Sequence, residues 1–126
     1  MADIEGTITL TEITHGTVKK IKAEWVSGQG IHEGTAEATT EFAYSGRLFG
    51  ACTVPDGVAA PTDDYDIEVL DNDSVDIALN ALHDRDTADT EYVSEASMGG
   101  VAHSKITISI ANAGDTKEGT LYLYIR

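Results

Sequence analysis

Alternating apolar and polar residues recur along this chain in short stretches, and each stretch predicts a β-strand. In residues 65–70, Tyr65, Ile67 and Val69 alternate with more polar neighbours. A period of two residues is what a half-buried strand requires, because successive side chains point to opposite faces of a sheet. We interpret this stretch as the central strand of the fold.

The pattern changes after this strand. Residues 71–74 are Asp-Asn-Asp-Ser, whose short polar side chains bond to their own backbone and favour a turn. Beyond the turn, Val75, Ala78 and Leu82 recur at helical spacing, and Asp73 or Ser74 is available to cap the first turn. The sequence therefore predicts one short helix after the central strand.

The other alternating stretches predict further strands at residues 7–13, 17–26, 35–44, 47–54, 106–110 and 121–125, with a weaker one at 91–95. Turn residues at 14–16 and 45–46 join the first four into two antiparallel hairpins. The loop 112–119 joins the last two into a third, with Asn112, Gly114 and Gly119 suited to positive φ.

With six to seven of these stretches forming strands and one short helix after the central strand, the sequence predicts an all-β fold, a single antiparallel β-sandwich or small β-barrel comprising residues 1–126. Trp25 is expected on an apolar strand face, and Leu48, Cys52 and Val54 are expected to face inward. The glycine-rich residues 27–34 predict a mobile, exposed loop. Residues 1–6 are expected to form a flexible N-terminal arm that orders on assembly.

The charge balance narrows the classes of partner. The chain has 22 acidic and 8 basic residues, for a formal net charge of −14. Such a field repels phosphate backbones, so we expect no direct nucleic-acid binding. A solvated acidic surface is the ordinary explanation of this charge, and a basic partner or a bound cation is the alternative.

The cysteine count and the apolar runs bear on the cellular compartment. Cys52 is the single cysteine, so no intrachain disulfide forms, and core packing is its expected role. The first residues are acidic, unlike a signal peptide, and no apolar run approaches membrane-spanning length. We therefore expect a soluble protein that is made in the cytoplasm and has no membrane partner.

No motif in the sequence predicts catalysis, so we expect no enzymatic activity and no cofactor. Residues 71–76 invite comparison with a calcium loop, but Val75, Asp76 and Leu82 stand where an EF-hand requires an oxygen ligand, a glycine and a glutamate. A capped turn explains them better. A metal site of His83, Asp84 and Asp86 is conceivable, although nothing in the sequence fixes its geometry, and we expect no bound metal.

Lys20 and Lys22 lie on the polar face of the strand predicted at 17–26, in the one basic cluster of the chain. Protection of an edge strand against unwanted pairing is the structural interpretation. Docking to an acidic neighbour is the functional alternative.

Three segments are similar to a known family. They are APTDDYDIEVLDNDSVDI at 60–77, NALHDRDTADTEYV at 80–93 and ITISIANAGDTKEGTLYLYIR at 106–126. Together they resemble the small virion structural proteins of tailed bacteriophages, encoded among the head genes. The likeness lies in turns and strands, and it carries no catalytic residue to this chain.

The resemblance implies a capsid decoration or cement protein on the exterior of the virion, where it binds the major capsid protein and stabilises the head. Such proteins often act as oligomers, and a trimer is favoured here. Phe49, Tyr122 and Tyr124 then become candidate interface anchors, with the covering of a sandwich edge as their structural alternative. A head–tail connector or tail-tube subunit, and a glycan-binding module, are the alternative functions.

Overall fold

The computed structural model describes residues 3–126, which form nine strands. They are β1 (Thr7–His15), β2 (Val18–Val26), β3 (Ala36–Thr39), β4 (Tyr44–Pro55), β5 (Asp66–Leu70), β6 (Glu91–Ser94), β7 (Gly100–Ser104), β8 (Thr107–Ala111) and β9 (Glu118–Ile125). Two single-turn 3-10 helices are present at Gly30–His32 and Glu95–Ser97. Neither these nor any other part of residues 3–126 forms a helix long and apolar enough to cross a membrane.

The strands form two antiparallel sheets. The larger sheet has the order β1-β2-β9-β4-β6, with β7 also paired to β4, and it curls into a half-barrel. The smaller sheet has the order β3-β8-β5. All pairings between these strands are antiparallel, so the prediction of an all-β antiparallel sandwich or small barrel is confirmed, although nine strands form and not the predicted six to seven.

The apolar faces of the two sheets enclose one core. The indole ring of Trp25 on β2 packs against the ring of Tyr65, just before β5, with ring centroids 5.4 Å apart. Trp25 also lies over Gly119, its cross-strand partner on β9. Other fully buried side chains of the core are Ile21, Leu48, Ile67, Leu82, Ile106, Ile108, Leu121, Leu123 and Ile125.

The first predicted hairpin is correct, and the other two are wrong. His15 pairs with Val18 across a tight turn in which Gly16 has φ 60°. In contrast, β8 and β9 lie in different sheets, and so do β3 and β4. The alternation of apolar residues along a strand indicates which face is buried, but it does not indicate which strand lies beside it. Two strands that are consecutive in sequence therefore show the same pattern whether they form a hairpin or lie in different sheets.

The predicted central strand is also misplaced, because β5 lies at the edge of the smaller sheet. The segment 71–85 folds back along this edge. Ile67 donates its backbone N–H to Leu82, and Ile77 donates its backbone N–H to Val69. The segment therefore occupies hydrogen-bonding groups that an open edge strand would present to another chain.

The helix predicted after β5 is wrong, because residues 77–82 form a series of turns. Leu79 and Asn80 have φ of 54° and 62°, in the left-handed region that an α-helix excludes. The carboxylate of Asp76 accepts hydrogen bonds from the backbone N–H groups of Val69, Ala78 and Asn80. A side-chain acceptor thus satisfies the N–H groups of Ala78 and Asn80, which a helix would have paired internally.

A bulge in β4 reverses part of the predicted inward face. Leu48 pairs with Ile125 and Gly50 pairs with Tyr124, so two steps on β4 match one step on β9. The extra residue shifts the phase of the alternation. Leu48 is buried as predicted, but Cys52 lies on the outer face of the sheet, as does Val54, and the prediction that they face inward is wrong.

The loop 27–34 is exposed mainly at its tip, where Ile31 is 80% exposed. Ser27 is buried, and its hydroxyl donates a hydrogen bond to the carbonyl of Gly114. The prediction of an exposed loop is therefore correct only in part, and the mobility of the loop stays a prediction. Ile4 of the N-terminal arm pairs with Gln29, whereas Met1 and Ala2 lie outside the described residues. Ordering of the arm on assembly stays a prediction.

We expect Gly119→Ala to lower the free energy of unfolding by about 1–3 kcal/mol, because overpacking a filled core forces side chains or backbone to shift. A Cβ atom at this position would lie 2.6 Å from Cζ2 of the buried Trp25 ring. Urea unfolding followed by tryptophan fluorescence measures the loss. Gly57→Ala is the matched control, since nothing lies within 4 Å of a Cβ there. Equal midpoints for the two variants would contradict this account of Gly119.

Candidate binding surface

Aromatic and basic side chains gather on the outer face of the larger sheet. On β9, Leu121, Leu123 and Ile125 are fully buried, so the alternating Tyr122 and Tyr124 project from the opposite face. We define the aromatic face as Lys20, Lys22, Phe49, Tyr92, Tyr122 and Tyr124. It contains all five interface residues predicted from the sequence.

The strand register explains why these residues meet. Lys22 is directly opposite Tyr122 on β9, Tyr122 is opposite Cys52 on β4, and Cys52 is opposite Tyr92 on β6. Residues paired in this way project from the same face of a sheet. One row of side chains therefore crosses four strands and comprises residues far apart in the sequence.

Contacts between rings and cations link the members of this face. The rings of Phe49 and Tyr124 have centroids 5.9 Å apart. The Lys20 ammonium lies 5.1 Å from the Tyr122 ring centroid, and the Arg126 guanidinium lies 5.0 Å from that of Phe49. Each cation is within the range of a cation–π interaction. The basic groups are therefore held against the aromatic rings.

Tyr92 is a member of the aromatic face that the sequence did not identify. Its side chain is 61% exposed, and its hydroxyl lies above Gly50, where a Cβ atom would displace it. A single aromatic residue in a four-residue strand carries little signal. The missing information was the pairing of β6 with β4, which places Tyr92 beside Tyr124.

The position of Lys20 and Lys22 in the sheet excludes one of their two interpretations. Their strand, β2, lies between β1 and β9, so it is an internal strand. Protection of a sheet edge is therefore the wrong explanation for these lysines. Lys22 forms an ion pair with Glu24 at 3.5 Å, with both side chains accessible to solvent, and such a pair contributes little to stability.

Burial against its neighbours changes the pKa of the Tyr124 hydroxyl. Desolvation raises the pKa of its hydroxyl, and the nearby Cys52, Tyr122 and Tyr92 raise it further. Tyr124 therefore stays a neutral hydrogen-bond donor and acceptor at neutral pH. Its ring is half-buried, so the aromatic face offers apolar surface together with hydroxyl groups.

The acidic stretch 63–86 has mainly a structural use. Asp71 accepts backbone hydrogen bonds from Asp73 and Val75, as expected of a capped turn. Asp86 likewise accepts backbone hydrogen bonds from Ala88 and Asp89. The structure does not bring His83 together with Asp84 and Asp86 as the metal-ligating group considered from the sequence. Within residues 3–126, potential metal-ligating atoms come together at His83, Glu68 and Asp76.

Two aspartates of this stretch have opposite pKa shifts. Hydrogen bonds from the backbone N–H groups of Asp89 and Ala88 lower the pKa of Asp86 below its ordinary value of 3.8. The negative charge of Asp63, together with a smaller desolvation and the charges of neighbouring aspartates, raises the pKa of Asp64 above 3.8. Asp86 thus favours the folded state when ionised, whereas ionisation of Asp64 opposes folding.

We expect Asp86→Asn to destabilise the protein at neutral pH, and the difference from the native chain to vanish as pH falls through the folded-state pKa of Asp86. Asp64→Asn should have the opposite sign: equal or higher stability at neutral pH, with the difference lost below the ordinary aspartate pKa. Thermal unfolding at a series of pH values measures both. A similar loss of stability in both variants at neutral pH would contradict the assignment.

No family model matches this chain, and a comparison with curated proteins finds no match. The aromatic face is therefore characterised by its own geometry and charge.

Proposed function

We propose that this chain is a structural protein of a tailed-phage virion that decorates the exterior of the capsid and stabilises the head. It binds the major capsid protein through the aromatic face. The observation that carries the proposal is that face itself, where four aromatic rings and two lysines lie together on a sheet of a chain with net charge −14.

The physical properties of the aromatic face suit binding to a protein surface. Tyrosine side chains provide large contact areas with few rotatable bonds, and they are frequent among the residues that dominate interface energies. Tyr122 and Tyr124 project from β9, whose other face is fully buried, so their backbone positions are fixed before binding. Binding therefore loses little conformational entropy of the backbone at these positions.

Charge supports an acidic or mixed-charge partner surface at this face. Lys20, Lys22 and Arg126 lie within or beside it, in a chain with only 8 basic residues. Such an arrangement orients the protein on an acidic partner, because the partner attracts the basic region and repels the acidic remainder of the surface. Repetition of one modest contact over many capsid sites then stabilises the whole shell.

We further propose that the protein acts as a homo-oligomer, with a trimer favoured. A trimer placed on a symmetry axis of the capsid contacts three neighbouring subunits at once, so its attachment gains from multivalency. Light scattering of the purified protein, alone and bound to shells, tests this arrangement.

Co-sedimentation with capsid shells that lack the protein tests the decoration role. We expect saturable binding and a higher rupture temperature of the decorated shells. The double variant Tyr122→Thr/Tyr124→Thr should weaken binding by at least about tenfold, because truncating an aromatic residue that anchors an interface typically costs about 2 kcal/mol or more. Threonine keeps a strand-compatible side chain at both positions, so the fold should be retained.

Matched controls separate this face from the general surface. Val58→Ser removes an apolar side chain that is 97% exposed in a loop, and it should leave binding unchanged. Lys20→Glu should weaken binding, whereas the same charge reversal at the exposed Lys105 should have little effect. Equal losses for Lys20→Glu and Lys105→Glu would instead mean that net charge alone governs binding. Absence of wild-type binding to shells would overturn the decoration role.

The exposed Tyr92 ring beside Tyr124 also favours a second candidate function, glycan binding, because aromatic platforms stack against sugar rings. A sugar that perturbs the Tyr92 ring signals in NMR, together with no binding to shells, would support it. A connector or tail-tube role is the remaining alternative, and ring formation in solution would support that role.

A further inference from the structure

A second group of polar side chains lies at the edge of the smaller sheet, away from the aromatic face. Glu68 projects from β5 on the side opposite the buried Ile67 and Val69. Asp76 and His83 belong to the segment 71–85 that covers the edge of β5. All three side chains are half-buried, and potential ligand atoms of the three lie within 4.8 Å of one another.

The hydrogen bonding of these three side chains indicates that they could bind a cation. The Nε2 atom of His83 is buried and has no hydrogen-bond partner within residues 3–126. A buried polar atom without a partner is costly and calls for an explanation such as a bound ion. No side-chain hydrogen bond of Glu68 is formed within the same residues either. Both groups therefore have coordination capacity that the fold itself does not use.

Asp76 is held more firmly than the other two. Its carboxylate accepts hydrogen bonds from the N–H groups of Val69, Ala78 and Asn80, at 2.9–3.1 Å. Two of these bonds end on Oδ1 and one on Oδ2, so they fix the position of the carboxylate and leave one lone pair on Oδ2 for a metal. Backbone donors that orient a ligating carboxylate are a usual feature of protein metal sites.

We propose that Glu68, Asp76 and His83 form a binding site for a divalent transition metal such as Zn²⁺. The bound metal connects the segment 71–85 to β5. One imidazole nitrogen and two carboxylates are a donor set that suits zinc and its neighbours, whereas calcium and magnesium prefer oxygen ligands alone. Water completes the coordination of the ion. The site differs from the grouping of His83 with Asp84 and Asp86 and from the expectation that no metal is bound.

The arrangement makes the role of the metal structural. Glu68 lies on the strand, and the other two ligands lie on the segment that covers its edge, so one ion would connect both parts. Metal binding to the folded state alone adds its binding free energy to stability. It would also slow opening of the hydrogen bonds that Ile67 and Ile77 donate between the strand and the segment.

Titration of the EDTA-treated full chain with ZnCl₂ in a calorimeter tests the site. We expect one tight site per chain, a rise in the unfolding temperature of about 5 °C or more at saturation, and slower exchange of the Ile67 and Ile77 amides. Excess Mg²⁺ or Ca²⁺ should not displace the ion. Glu68→Gln and His83→Gln should each lower the affinity by about tenfold or more.

The controls use equivalent groups outside the site. Glu37 pairs with Ser109 on β8, which in turn pairs with Glu68, so Glu37→Gln changes the same type of charge on the same sheet. His103→Gln removes an exposed imidazole. Both should bind Zn²⁺ like the native chain. Because Glu68 is half-buried and makes no bond of its own, Glu68→Gln should fold without metal, and circular dichroism checks this.

Two outcomes would overturn the proposal. One is the absence of a tight site in the native chain. The other is weak binding of several ions that Glu68→Gln and Glu37→Gln reduce alike, which would show adventitious binding to the acidic surface only. Neither outcome depends on binding to capsid shells, so the metal site and the decoration role can fail separately.

Discussion

The fold depends on how the layer between the two sheets is filled, and above all on the position of the Trp25 ring. This ring spans the space between Tyr65, at the start of β5, and Gly119 on β9. The largest side chain of the core therefore fits only because its cross-strand partner has none. A rigid, filled core of this kind fixes each strand in one register, since a slip by one residue would expose the apolar face.

The fixed strand register determines which side chains lie on the outer face of the larger sheet. With Leu121 and Leu123 held inside, Tyr122 must lie outside, and the bulge in β4 turns Cys52 to the same side. Aromatic surface on a rigid sheet is thus a consequence of core packing. The proposed decoration role uses this consequence, because a surface that is formed before binding loses little entropy when a partner covers it.

The edge of the smaller sheet raises a different physical problem, since β5 would otherwise present unpaired backbone groups to solvent and to other chains. The segment 71–85 solves it without forming a strand or a helix. Leu79 and Asn80 of this segment have left-handed backbone, and the carboxylate of Asp76 accepts a hydrogen bond from the N–H of Val69 on β5. The same segment brings His83 to Glu68, so the device that covers the edge also creates the proposed metal site.

The sequence by itself determined the all-β class, the first hairpin, the buried face of most strands and the five interface candidates. Local alternation is enough for these, because it records which side chains avoid water. Only the tertiary structure decided that β8 and β9 separate into different sheets, that β5 is an edge strand and that residues 75–82 are not helical. Strand pairing depends on contacts between residues far apart in the chain, which local pattern does not encode, and the recruitment of Tyr92 to the aromatic face and of Glu68 to His83 followed from that pairing.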